Sequence, residues 1–106
     1  MARKLWLALL PVTLLAPVVL AADTFNVSQQ HRTFAPDTLT VPRGTIVHIM
    51  NDDNVTHHVF VDQPEMHFDS GEQPIGTTVD LRFDNPGTYD VQCAIHPTMH
   101  LLVKVQ

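Results

Sequence analysis

The chain has 106 residues, and its 6 Lys and Arg against 11 Asp and Glu give a formal net charge of −5. That length holds one small domain, and the acidic balance argues against nucleic acid or anionic lipid as a partner. Cys93 is the only cysteine, which excludes an internal disulfide framework.

Arg3 and Lys4 precede an apolar run from Leu5 to Leu20, and the small residues Ala21 and Ala22 follow. A basic start, a short apolar stretch and a small-residue end are the marks of a secretory signal peptide. The run is short for a membrane span and carries Pro11 and Pro17, so a retained membrane anchor is the lesser alternative. Residues 1–21 are therefore expected to be the leader, cut after Ala21 or Ala22, with 22–106 as the exported domain. Loss of Arg3 and Lys4 leaves four basic against eleven acidic side chains, a net charge of −7.

The remainder reads as short β-runs divided by turn residues. Thr24 to Gln29 is a first strand. Phe34 to Asp37 turns into Thr38–Val41, where Leu39 and Val41 share a face. After the Pro42-Arg43-Gly44 turn, Thr45 to Met50 points Val47 and Ile49 inward. Asn51 to Asn54 is a polar loop. Thr56 to Val61 places His57, Val59 and Val61 on one face and His58 and Phe60 on the other. Asp62 to Gly76, with Pro64, Gly71 and Pro74, reads as a long irregular connection. Thr77 to Phe83 is a strand, Asp84 to Gly87 a turn, Tyr89 to Cys93 a strand, and Leu101 to Val105 the last. The expected fold is an all-β Greek-key sandwich of about seven strands.

A lone thiol in an oxidising compartment calls for burial or bonding, and a small domain without disulfides benefits from a metal. Cys93-Ala-Ile-His96-Pro-Thr-Met99, with His57 upstream, offers thiolate, thioether and imidazole donors. Soft sulfur combined with imidazole suits copper in both of its common oxidation states. Cys93 ends one strand and Met99 starts the next, so the loop between them can wrap an ion, and the Thr56–Val61 segment can supply a further donor.

On these residues, together with Val41-Pro-Arg-Gly44, Asn51-Asp52, Thr56-His-His-Val-Phe60 and Asp84-Asn-Pro-Gly-Thr-Tyr89, the chain resembles the plastocyanin, amicyanin and pseudoazurin group of cupredoxins. The short Cys-x2-His-x2-Met loop looks most like that of amicyanin. The resemblance implies one type 1 copper ion held by His57, Cys93, His96 and Met99. It further implies transient single-electron exchange with a donor and an acceptor protein in the periplasm, by a monomer with no enzyme activity. His58 stands where the group commonly has an Asn that ties the ligand loops together. It is the alternative to His57, as His100 is to Met99.

His48 is expected on a solvated strand surface, His31 has no patterned partner, and Met66-His67 falls in the long connection. The seven His and several Met also motivate a second reading, a copper-binding protein for delivery or tolerance. A sandwich with a structural Cys and no metal is the remaining alternative.

Overall fold

The computed structural model describes residues 3–4, 6–17 and 21–106. Nine strands form among them: β1 Thr24–Gln30, β2 Thr33–Ala35, β3 Thr38–Val41, β4 Thr45–Asn51, β5 Val59–Gln63, β6 Met66–Asp69, β7 Thr78–Phe83, β8 Gly87–Cys93 and β9 His100–Val105. One sheet runs β2-β1-β4-β7 and the other β3-β9-β8-β5-β6. β1 lies parallel to β4 and β3 parallel to β9, while the other pairs are antiparallel. Sequence neighbours are thus split between two layers, as a Greek-key sandwich requires.

The two-residue period of apolar side chains decides which face of each strand goes inward. Val47 and Ile49 of β4 meet Leu81 and Phe83 of β7 in one sheet, and Tyr89, Val91 and Cys93 of β8 meet Leu101 and Val103 of β9 in the other. All belong to one core cluster, with Met66, Phe68 and Val79 packed at its border.

Tyr89 closes the turn before β8, its hydroxyl donating to Asn85 O at 2.8 Å. Gly87 adopts φ +148°, a region side chains rarely occupy, and this lets the turn fold back under the Tyr89 ring.

Three stretches depart from the sequence reading. β1 and β2 form a hairpin through His31 and Arg32, both at positive φ (53° and 56°), so a strand occupies Thr33–Ala35 where the reading began a turn at Phe34. The segment Asp62–Gly76 is not irregular throughout. Pro64 and Glu65 make a tight turn, and Met66–Asp69 returns as β6 against β5. β5 begins at Val59 rather than Thr56, because the N–H of His58 goes to a sulfur atom instead of a ladder. His57 itself pairs in an isolated bridge with Gln73.

Residues 6–17 carry no helix or strand, and Trp6, Leu7, Leu9, Leu10, Val12, Leu14 and Leu15 are exposed. Among the described residues no helix is long and apolar enough to cross a membrane. Of the expected cleavage region, Val19 and Leu20 lie outside the described residues.

Candidate metal centre

The candidate donors gather at the end of the sandwich where β4 finishes and β8 passes to β9. Val59 pairs with Cys93 across β5 and β8, which brings the segment before β5 alongside the Cys93 loop. His57 is fully buried and its Nδ1 lies 3.6 Å from Cys93 Sγ. The His96 ring stands edge-on to that of His57, centroids 5.1 Å apart. Met99 is buried in the same core cluster as Cys93, and its N–H donates to His96 O at 2.9 Å, tightening the loop.

Among the described residues no three His, Cys, Asp or Glu side chains are grouped closely enough to hold a metal ion by themselves. His57 and Cys93 face each other, His96 stands one ring away, and the fourth candidate donor is a thioether. His96 Nε2 is nevertheless buried with no hydrogen-bond partner. A buried imidazole nitrogen left unpaired is costly. Beside a buried thiol and a second imidazole, it forms a soft donor set that fits copper.

Asp53, missed in the sequence reading, sets the orientation of His57. Its Oδ2 accepts from His57 Nε2–H at 3.1 Å, which leaves Nδ1 as the lone-pair nitrogen toward sulfur. The same carboxylate accepts from the N–H groups of Arg32 and Asn54, each at 2.8 Å. The Arg32 N–H above all holds its pKa down to about 2, and burial opposes this. Burial pushes the His57 pKa below its usual value, with the Asp53 hydrogen bond working against that trend.

Asn51 and Gln73 brace this arrangement from below. Asn51 Nδ2 donates to Val55 O and Gln73 O, and its Oδ1 accepts from Asp53 N–H. Gln73 Nε2 donates to Ile49 O and Thr77 O, each at 3.0 Å. Gln73 lies in the connection read as irregular, with no local pattern to mark it. For Asp53 the available signal was a carboxylate four residues before His57 in a turn-forming loop.

His58 is not the imidazole that faces Cys93. Its Nε2 pairs with Asp69 Oδ1 at 2.5 Å on the outer face of the sheet. Its main chain makes the tie expected of an Asn side chain: the N–H donates to Cys93 Sγ at 3.3 Å, and the carbonyl accepts from Ala94 N–H at 2.9 Å. His100 likewise turns outward, to Asp90. His67 pairs with Asp62 and His48 with Asp80, both on strand surfaces.

A family model for the cupredoxin-like domain matches residues 4–103. The chain belongs to that family. Among solved structures, this cupredoxin is similar to a purple cupredoxin from Nitrosopumilus maritimus, with 24% identity and a TM-score of 0.70 over 77% of this chain and 99% of that one. It is similar to a reduced amicyanin variant at 23% identity and a TM-score of 0.74, over 82% of this chain and 86% of that one. A Cu-containing nitrite reductase from Thermus scotoductus SA-01 is 26% identical with a TM-score of 0.72, over 92% of this chain but only 25% of the enzyme. No functionally curated protein matches the cupredoxin in sequence.

Proposed function

We propose that this cupredoxin carries single electrons in the periplasm and holds one type 1 copper ion through His57, Cys93, His96 and Met99. The observation that supports it most is the buried approach of His57 Nδ1 to Cys93 Sγ, 3.6 Å apart, with the unpartnered His96 Nε2 beside them. Bound copper supplies a reversible one-electron couple between a soft and a harder oxidation state.

The chain's own residues prepare for that chemistry. Asp53 keeps His57 in the tautomer whose Nδ1 can donate to a metal. The His58 N–H gives the Cys93 sulfur a fixed hydrogen bond, which restrains its electron density. Strands β8 and β9 hold Cys93 and Met99 in the packed core, so the donors have little freedom to rearrange.

The His96 loop exposes Ala94, Ile95, Pro97 and Thr98, and Ile75 lies exposed two residues beyond Gln73. Two large apolar side chains at the surface suit a small docking patch for a redox partner that must dissociate between turnovers. A monomer meets this need without further subunits. Four side-chain donors leave no position open for substrate, which favours a carrier over an enzyme. Residues 1–21 are the export leader and 22–106 the functional domain. The exposed apolar residues within 6–17 and their basic start support this.

The deciding experiment is the visible and electron-spin-resonance spectrum of the protein loaded with Cu(II). An intense thiolate-to-copper band that disappears in Cys93→Ser is expected. A colourless Cu(II) complex with a free, reduced thiol would overturn the reading.

A further inference from the structure

The outer face of the β2-β1-β4-β7 sheet carries a second set of soft donors, away from Cys93. His48 and Met50 are two residues apart on β4, so their side chains leave the same face about 7 Å apart along the strand. Both line a shallow depression of about 350 Å³ together with Asn26, Ser28, Asp52 and Thr78. Met50 is 45% exposed there, with Val27 and Ala35 also on the lining, a placement that core packing does not explain.

His48 is held in one orientation by a carboxylate on the neighbouring strand. Asp80, directly opposite on β7, accepts from its Nδ1–H at 2.5 Å, leaving Nε2 as the lone-pair nitrogen. A carboxylate fixing one imidazole nitrogen so that the other can bind a cation is the usual support of a metal-ligating histidine. Asp52 adds a carboxylate on the same depression, positioned by the Ser28 hydroxyl, which donates to its Oδ2 at 2.5 Å.

The other outward imidazoles also pair with carboxylates, but none has a thioether beside it. Met66 is adjacent to His67 in the chain, yet alternation sends it to the opposite face, where it packs on the core. Met99 is buried while its neighbour His100 is exposed. Only at His48 and Met50 do the described residues put imidazole and thioether on one strand face.

We propose that His48 Nε2 and Met50 Sδ form a second, surface site for Cu(I), with Asp80 as the positioning residue for His48. Thioether with imidazole favours the soft monovalent ion over Zn²⁺ or Mg²⁺. The site is open to solvent and binds its ion reversibly. It does not rest on the Cys93 centre, since it shares no donor with it.

The test is anaerobic titration of the full chain with Cu(I), against a colorimetric Cu(I) chelator, while the methionine methyl signals are followed by NMR. One bound equivalent is expected to shift the Met50 methyl and the His48 ring. Met50→Leu and His48→Gln should each weaken that equivalent about tenfold or more and leave any equivalent sensed by Met99 unchanged. Both side chains are surface groups, and an unchanged amide spectrum verifies the fold of each variant. If the Cys93 centre took no copper, a Met50 shift would still appear and would support the surface site alone. Binding of any number of equivalents without movement of the Met50 methyl, or unaltered affinity in both variants, would overturn it.

Discussion

The Asp53 carboxylate joins two parts of the fold that are distant in sequence, accepting from the His57 ring at 3.1 Å and from the Arg32 N–H at 2.8 Å. Arg32 lies in the hairpin turn between β1 and β2, at positive φ without being a glycine. One carboxylate therefore steadies an unfavourable turn and the buried imidazole together.

Replacing Asp53 by Ala strips the buried His57 Nε2–H and the two backbone N–H groups of their acceptor. The metal-free variant is expected to lose about 1–3 kcal/mol of stability, read from urea unfolding midpoints. Asp53→Asn keeps an acceptor oxygen and should lose less. An Ala variant as stable as the parent would show that the carboxylate holds nothing in place.

Acid should weaken the metal-free fold in two steps. The folded pKa of His57 lies below its ordinary value of 6.5, so the unfolded chain takes up the proton first, and stability present above that pH declines as pH falls through it. Asp53 falls from 3.8 to about 2 on folding, so its contribution is present above pH 3.8 and is lost between there and about pH 2. Unfolding curves at stepped pH check this, and in Asp53→Asn the lower step should shrink. An equal loss in parent and variant below pH 4 would refute the assignment to Asp53.

The neighbouring histidines should separate cleanly. His57→Ala is expected to abolish the thiolate-to-copper band of the loaded protein. His58→Ala should retain it, because only the main chain of His58 touches Cys93 Sγ. The His58 imidazole–Asp69 pair is a solvent-exposed surface interaction whose loss should change stability little. The reverse pattern in the visible spectrum would reassign the upstream donor.

Tyr89→Phe removes the hydroxyl that donates to Asn85 O at 2.8 Å and leaves the ring packed against Phe83, centroids 5.4 Å apart. A loss of about 0.5–1.5 kcal/mol is expected, measured as a lower thermal midpoint. The copper spectrum should not change, since the turn lies at the other end of β8 from Cys93.

Alternation along the chain was enough to specify the all-β class and most strand faces. Val47 and Ile49 were placed inward from sequence and Leu39 with Val41 on a shared face, and all four are buried. These features are local, because successive side chains on a strand must point to opposite faces. The Cys93–Met99 loop was legible for a similar reason: its candidate donors lie within seven consecutive residues.

Relations between remote segments were decided only in three dimensions. The choice between His57 and His58 to face Cys93 depended on a sulfur taking the His58 N–H and ending the ladder with β8 at Val59. The Asp53 link to Arg32 and the Gln73 bridge to His57 span 21 and 16 positions in the chain. No local periodicity encodes such contacts, which exist only once two sheets have packed and buried polar groups must find partners.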